Sequence, residues 1–281
     1  MPSPPPASSK QRVDVIRANG TDRAPALDWA AVEEPLEIRL HDTPFAVIMR
    51  TPGADIELAA GFLFSERVIS SADDLGTIAH CRDRSANDDS QVLAENIVNV
   101  TLTDDSRLGA LLAGRRQVTT NSSCGLCGRR SIESLASCVP KLSSSWPMSA
   151  ATLSQLADRL RATQTVFDET GGLHAAGLFS PTGTLLDSAE DIGRHNAVDK
   201  VVGRALMRDA LPLADVVLFV SGRSSFEIVQ KALFAGISLI GSVSAPSSLA
   251  ISLADEMGIT LAGFVRGERL NLYTHTGRIR A

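Results

Sequence analysis

The sequence predicts an α/β protein with a layered C-terminal domain and a smaller N-terminal α+β module. The chain has 281 residues, enough for about two domains at roughly 150 residues each. In the second half, short apolar runs alternate with amphipathic helical segments, which is typical of buried and mainly parallel strands. In the first half, two strands of alternating polarity precede one amphipathic helix. We therefore predict a module over residues 29–113 and a domain over residues 149–281.

The start of the chain, residues 1–28, is predicted to be a disordered lead-in. Pro, Ser and Ala dominate its first part, and it contains only one short apolar patch, so it resembles neither a signal peptide nor a membrane anchor. Without an export signal the thiols are expected to stay reduced. We therefore expect a cytoplasmic protein.

In the N-terminal module, the segments Leu36–Leu40 and Phe45–Met49 alternate on either side of a short polar turn, which predicts a β-hairpin. Helical spacing of apolar residues over Ile56–Glu66 predicts a helix. A further strand is predicted over Asn96–Leu102. These elements make up the small α+β module.

The C-terminal domain is predicted to begin with a helix over Thr152–Ala162 and a hairpin of Leu173–Phe179 with Thr184–Asp187. A helix over Asn196–Met207 comes next. An alternating series completes the domain: strand Asp215–Val220, helix Ser225–Ala235, strand Ile237–Val243, helix Ser247–Met257 and strand Ile259–Val265.

Two of the four cysteines lie in a segment of small polar residues, which we interpret as a mobile loop region over residues 114–148. Cys124 and Cys127 are separated by two residues and flanked by glycines that leave the thiols little shielding. Arg129 and Arg130 follow directly, and nearby arginines favour the nucleophilic thiolate. The pattern therefore predicts exposed, reactive sulfur.

Three kinds of chemistry fit this cysteine pair. A zinc site needs about four ligands, and the additional candidates are Cys81, Cys138 and His80. A thioredoxin-type redox pair needs a strand before it and a helix after it. In covalent sulfur transfer, one thiolate carries a persulfide to a second site. The residue pattern alone leaves all three open.

Polar turns follow three of the predicted strands, at Ser221–Arg223, Ser244–Pro246 and Arg266–Arg269. Ligands of open parallel sheets bind outside the carboxyl ends of the strands. Two of these turns lead into predicted helix N-termini, which favour anions, and Arg223, Arg266 and Arg269 add positive charge. Ordinary capping with solvated arginines explains any single turn equally well. The three turns together predict a site for a phosphorylated ligand.

The segment Glu190–Asn196 concentrates two carboxylates, an arginine and His195 in one predicted turn, and His174 lies beside two glycines. The histidines could serve proton transfer, but binding or packing fits them equally well, and Asn196 fits a helix N-cap. The net charge of −5 provides no basic field to recruit nucleic acid, so we expect neither a nucleic-acid nor a membrane partner.

An ordered set of motifs over about 240 residues, from Glu34 to Tyr273, closely resembles the formate dehydrogenase accessory protein family, FdhD/NarQ. The motifs are Thr51-Pro52, Glu57–Leu63, Ser123–Gly128, Thr170–Ala176, Glu190–Lys200, Ser221–Glu227 and Ser244–Pro246. This resemblance implies a cytidine-deaminase-like fold, although the zinc signature of true deaminases is missing. It also implies a homodimer.

The resemblance further implies a sulfurtransferase that serves formate dehydrogenase. It takes persulfide sulfur from a cysteine desulfurase and passes it to the Mo or W bis(pterin guanine dinucleotide) cofactor, bound as a recipient and not permanently. The resemblance assigns the persulfide to Cys124, with Cys127 as its partner. The expected cofactor-binding residues are Ser221, Arg223 and His195 with the family segment Phe264, Val265, Arg266, Gly267, Glu268 and Arg269. No metal ligand is assigned. The alternative is a non-catalytic molybdenum-cofactor chaperone with a structural zinc in Cys-x-x-Cys.

Overall fold

A computed structural model describes residues 9–81, 95–106, 108, 109, 112, 139–144 and 146–281. Two short 3-10 turns accompany the strands and helices of these residues. In chain order the elements are β1 (Lys10–Asn19), β2 (Asp22–Ala31), β3 (Glu34–Leu40), β4 (Thr43–Arg50), α1 (Asp55–Ser65), β5 (Leu75–His80), β6 (Ile97–Leu102), β7 (Met148–Ser149), α2 (Ala150–Arg161), α3 (Thr165–Thr170), β8 (His174–Phe179), β9 (Leu185–Asp191), α4 (Arg194–Met207), β10 (Val217–Val220), α5 (Phe226–Phe234), β11 (Leu239–Ser242), α6 (Ser248–Met257), β12 (Thr260–Arg266), β13 (Arg269–Thr274) and β14 (Ile279–Arg280).

The largest sheet has six strands in the order β13-β12-β11-β10-β8-β9. Strands β10, β11 and β12 are parallel to one another, because helices α5 and α6 connect them. The other pairings are antiparallel. The parallel pairing predicted for the alternating series is therefore confirmed for β10, β11 and β12, and so is the predicted hairpin of β8 with β9. Strand β13 was not predicted. The short turns between β8 and β9 and between β12 and β13 permit only antiparallel neighbours.

Helices cover both faces of this sheet, and strand residues alternate between two hydrophobic clusters. On one face, α2 contributes Leu153, Leu156 and Leu160 to a cluster with Phe179 and Phe219. On the other face, α4, α5 and α6 pack in a larger cluster. This sheet with helices on both faces confirms a mixed α/β fold, whereas the cytidine-deaminase-like layering stays a prediction.

The N-terminal module packs against α4 and shares the larger hydrophobic cluster with the C-terminal domain. Its four-stranded sheet, in the order β4-β3-β6-β5, lies against α1. Helices α1 and α4 approach closely through two glycines. A Cβ atom on Gly61 would lie 1.9 Å from the Asp199 carbonyl oxygen, and one on Gly203 would lie 1.9 Å from the Glu57 carbonyl oxygen. The backbones of the two helices are therefore in direct contact.

The lead-in predicted for residues 1–28 differs from the structure, in which β1 and β2 form a hairpin. The antiparallel register extends from Lys10 opposite Ala31 to Asn19 opposite Asp22. The prediction of disorder is wrong from Lys10 onward, because the two-residue turn Gly20-Thr21 closes the ribbon and cation–π contacts of Lys10 and Arg12 with Trp29 hold its base.

The predicted helices and strands of residues 34–66 and 150–265 are otherwise confirmed to within a few residues at their ends. The predicted loop region over residues 114–148 falls mostly outside the described residues. No helix in the described part of the chain is long and apolar enough to cross a membrane.

Candidate functional site

The carboxyl ends of β10, β11 and β12 meet along one side of the sheet, called here the carboxyl edge. The turns after β10 and β11 are joined directly, since Ser224 forms a parallel β-bridge with Pro246. The amide of Ser247 also donates to the Ser224 carbonyl oxygen at 3.0 Å. Strands are about 4.8 Å apart, so the edge from β12 to β8 is about 15 Å long.

Strand β8 starts at this same edge because it is antiparallel to β10. The hydroxyl of Ser221 accepts a hydrogen bond from the Ala175 amide at 2.8 Å, and the Ser221 amide donates to the Ala175 carbonyl at 2.9 Å. His174, the first residue of β8, pairs with Asp191 at the end of β9. The predicted end of β9 at Asp187 is therefore wrong, since β9 continues to Asp191, the second residue of the motif Glu190–Asn196.

Three helices begin at the carboxyl edge. Helix α4 has Gly193 as its N-cap, α5 has Ser225, and α6 has Ser247, whose hydroxyl accepts the Ala250 amide at 3.2 Å. Their first-turn amides and dipoles favour anions. Asn196 is not the N-cap of α4 that the sequence suggested. It lies inside the first turn with its side chain buried.

His195 connects the first turn of α4 to the start of α5. Its Nε2 atom lies 3.1 Å from Ser225 Oγ and 2.8 Å from Glu227 Oε2. Both contacts involve the same ring nitrogen. A nucleophilic serine relay requires the acid on the opposite nitrogen, so this arrangement is not a Ser–His–Glu triad. It holds two helix N-termini together beside the edge.

The pKa of His174 is lowered from its usual value, first by burial and then by the positive charges of Arg194, His195 and Arg223, while Asp191 partly opposes the shift. The imidazole is accordingly neutral at pH 7. A bound anion would offset the neighbouring arginines. An anion bound at the carboxyl edge should therefore raise the pKa of His174.

We expect the ring signals of His174 in an NMR titration to show a midpoint below 6.5, and Arg194→Gln to move it upward. Because the folded pKa is depressed, the folded state binds fewer protons than the unfolded chain. His174 contributes stability that is present above the unfolded pKa and is lost as the pH falls through the folded pKa. In the His174→Asn variant, the loss of folding stability as the pH falls should be smaller than in the parent protein. A midpoint at or above the usual histidine value would contradict the electrostatic description.

Glu190 belongs to the same motif, but its side chain binds the start of helix α3. Its carboxylate accepts the amides of Val166 and Phe167, at 3.1 and 2.9 Å, and so caps helix α3. Burial raises its pKa, and these two backbone hydrogen bonds partly offset the increase. Glu190 is therefore a structural residue next to the site.

The segment Phe264–Arg269 closes the other end of the carboxyl edge with a bulged hairpin from β12 to β13. Phe264 has a φ of 54° and its side chain is 45 % exposed. A left-handed backbone is unusual for a bulky residue and is typical of functional sites. The Phe264 amide donates to the Ser244 carbonyl at 3.1 Å, which fixes the bulge. Val265 is fully buried, so it presents no surface to a ligand and supports the bulge from inside.

The carboxyl edge is positively charged. Among the described residues, Arg194, Arg223, Arg266 and Arg269 form no ion pair with a carboxylate. Two buried atoms, Arg194 Nε and Ser224 Oγ, also lack a hydrogen-bond partner within the described part of the chain. Buried polar groups are normally satisfied. Arginines and helix N-termini of this kind fit a phosphorylated ligand.

The fold thus brings the predicted residues Ser221, Arg223 and His195 to the same edge as the segment Phe264–Arg269. Sequence reasoning did not select Arg194 or Glu227 for the site, although both lie in its motifs. Cys124 and Cys127 lie outside the described residues. Cys81 is a free thiol, and the described residues contain no cluster of three or more acidic, His or Cys side chains arranged for a metal ion.

The fold and this edge define the class: a mixed α/β protein with a candidate anion site at the ends of its parallel strands. A family model for the FdhD/NarQ family matches residues 31–280. The chain therefore belongs to the FdhD/NarQ family.

Relatives and a solved structure agree with this assignment. The chain is 46 % identical over 280 residues to the sulfur carrier protein FdhD of Streptomyces coelicolor, covering 97 % of this chain and 95 % of that protein. It is 46 % identical over 275 residues to the protein of the same name from Mycobacterium tuberculosis, covering 97 % and 99 %. Its fold matches the crystal structure of a chain described as a formate dehydrogenase accessory protein from Desulfotalea psychrophila, with a TM-score of 0.75 at 24 % identity over 96 % of this chain and 99 % of that one.

Proposed function

We propose that this chain is a sulfur carrier and sulfurtransferase needed for formate dehydrogenase activity. It accepts persulfide sulfur from a cysteine desulfurase on Cys124 and transfers it to the Mo or W bis(pterin guanine dinucleotide) cofactor. Membership of the FdhD/NarQ family and the names of the two sulfur carrier relatives support this role. The cofactor is the recipient of the sulfur and not a resident group.

One observation carries the assignment of the recipient site. Four arginines without acidic partners among the described residues and three helix N-termini share the carboxyl edge. A dinucleotide brings phosphates, which arginines bind in bidentate fashion and helix N-termini bind through free amides. The exposed ring of Phe264 supplies a surface on which a guanine base can stack. The charge of the edge therefore suits a phosphorylated ligand, and the Phe264 ring suits its base.

The loading step conserves electrons. The thiolate of Cys124 attacks the outer sulfur of the donor persulfide, so a new S–S bond forms on Cys124 and the S–S bond of the donor breaks. The donor cysteine leaves as a thiolate. No external oxidant or reductant is needed, because the sulfane sulfur only changes its carrier. Arg129 and Arg130, close by in sequence, favour the attacking thiolate. Cys127 is the second thiol available to this step.

Guanine nucleotide binding tests the recipient site, with GDP as the probe in isothermal titration calorimetry. Phe264→Ala removes the stacking surface, worth about 1–3 kcal/mol per base, and should weaken binding about tenfold. Phe264→Tyr keeps an aromatic face and should retain affinity. Leu186→Ala serves as the control, because it also removes an exposed apolar side chain. Leu186 lies near the start of β9, at the end of this strand that is remote from the carboxyl edge. Equal affinities for Phe264→Ala and Leu186→Ala would contradict the proposed site.

The proposal also covers the cellular compartment and the oligomeric state of the protein. A sulfur carrier with free thiols suits a reducing compartment, so we propose that the chain acts in the cytoplasm. The homodimer that the family resemblance implies is likewise proposed. Light scattering at several concentrations tests it, since a mass of one chain throughout would exclude the dimer.

A further inference from the structure

Asp191 is a fully buried carboxylate next to the carboxyl edge. It ends β9 opposite His174, and the next two residues lead directly into helix α4. Its Oδ1 atom accepts the Gly193 amide and the Asn196 Nδ2 atom, both at 2.8 Å. Its Oδ2 atom accepts the Thr51 amide at 3.2 Å and lies 2.7 Å from Lys200 Nζ. Four donors therefore converge on one side chain with no exposed surface.

Lys200 neutralises this carboxylate inside the protein. Besides Asp191, its ammonium donates to the carbonyl oxygens of Thr51 and Glu190, at 3.0 and 3.2 Å. An ammonium group has three protons, and each has an acceptor here. A buried ion pair tolerates desolvation only when both partners are satisfied in this way. The ion pair is therefore satisfied without solvent and holds the Asp191 side chain in place beneath the turn.

The N-terminal module takes part in the same network. Thr51 follows β4 in that module, and its Oγ1 atom accepts the Ile192 amide at 3.3 Å. The Asn196 side chain also donates to the Met49 carbonyl at 2.8 Å. The turn that leads into α4 is thus bound by the Asp191 carboxylate and by backbone and side-chain groups at the end of β4.

We propose that Asp191, paired with Lys200 and bonded to Thr51, is the positioning residue that fixes Arg194 and His195 at the carboxyl edge. These two side chains extend from the turn that Asp191 holds, and neither contacts Asp191 in a described hydrogen bond. The N-terminal module then contributes to ligand affinity without touching the ligand. This inference rests on the proposed nucleotide site.

The chain contains a matched pair with which to test this role. Asp199 is also buried on α4 and lies 2.7 Å from Lys231 Nζ. It accepts a further hydrogen bond from Ser65 Oγ at 2.8 Å. Its partners belong to α1 and α5 and lie outside the turn of residues 191–195. Loss of this pair should lower stability without moving the site.

The experiment compares Asp191→Asn with Asp199→Asn. Asparagine keeps the shape but replaces one acceptor oxygen by a donor, so two of the four donors at position 191 lose their acceptor. We expect GDP to bind Asp191→Asn about tenfold more weakly than the parent. Affinity in Asp199→Asn should stay within about twofold. Equal weakening in both variants, or none in Asp191→Asn, would overturn the proposal.

Backbone amide exchange by NMR separates this inference from the proposed function, because it needs no ligand. In Asp191→Asn the amides of Ile192 and Gly193, which donate to Thr51 Oγ1 and Asp191 Oδ1 in the parent protein, should exchange faster than in Asp199→Asn. If the parent protein fails to bind GDP, the proposed recipient site falls, while this comparison still decides the role of Asp191. Unchanged exchange at these two amides would overturn it.

A milder pair of variants covers the case in which Asp191→Asn does not fold. Thr51→Val removes the acceptor of the Ile192 amide at nearly constant volume, whereas Thr51→Ser keeps the hydroxyl. We expect GDP affinity to fall about threefold in the valine variant and to remain at the parental value in the serine variant. Equal affinities in the two would contradict a contribution of the module to the site.

Discussion

Replacing Cys124 by alanine is expected to abolish activation of formate dehydrogenase while leaving the fold and GDP binding intact. The reason is chemical: alanine cannot carry sulfane sulfur, and the proposed nucleotide site lies on the carboxyl edge formed by other residues. Formate dehydrogenase activity in cells that depend on this chain measures the first effect. Circular dichroism and GDP titration of the purified variant measure the others.

The remaining cysteines supply the controls. Cys81 is a free, partly exposed thiol after β5, and Cys81→Ala should leave activation at the parental level. Cys127→Ala shows whether the second thiol of the pair participates in transfer. Full activation of formate dehydrogenase by Cys124→Ala would contradict the sulfur-carrier assignment, whatever the result for Cys127.

The second large effect is on stability. Gly203→Ala is expected to lower the free energy of unfolding by about 3 kcal/mol or more. The added Cβ would lie 1.9 Å from the Glu57 carbonyl oxygen and 2.8 Å from the Gly61 amide nitrogen. Both are backbone atoms of α1, so the clash is relieved only by separating the two helices. Urea unfolding followed by circular dichroism gives the change.

Two further glycine variants test this explanation. Gly61→Ala should be comparably destabilising, since its Cβ would lie 1.9 Å from the Asp199 carbonyl oxygen. Gly277→Ala is the control, because nothing lies within 4 Å of its added Cβ. A loss for Gly203→Ala no larger than that of Gly277→Ala would show that α1 and α4 are not in direct backbone contact.

Much of the C-terminal domain could be predicted because its signals are local. Uninterrupted apolar runs separated by amphipathic helices indicated β10, β11 and β12, and parallel strands necessarily present their carboxyl ends at one edge. The polar turns at Ser221–Arg223 and Arg266–Arg269 were therefore placed together correctly. The hairpin β1–β2 was missed because most of its side chains are exposed, which leaves little of the alternation that a half-buried strand shows.

Other features depend on contacts between distant parts of the chain. Asp191 belongs to a strand despite its charge, because Lys200 and Thr51 neutralise and bind it. His174 lies beside Ser221 only because β8 runs antiparallel to β10. The motif containing Arg194 was recognised from the sequence, but only the folded chain shows that no described carboxylate pairs with this arginine. Such pairings cannot be inferred from a window of neighbouring residues.

The most direct test of the central claim is the mass of the Cys124 peptide after incubation with a cysteine desulfurase and cysteine. The proposed carrier should gain the mass of one sulfur atom on this peptide, lose it on treatment with a reductant, and show no such gain in the Cys124→Ala protein. Stoichiometric zinc with no sulfur on Cys124 would contradict the proposal and favour a cofactor chaperone with a structural metal.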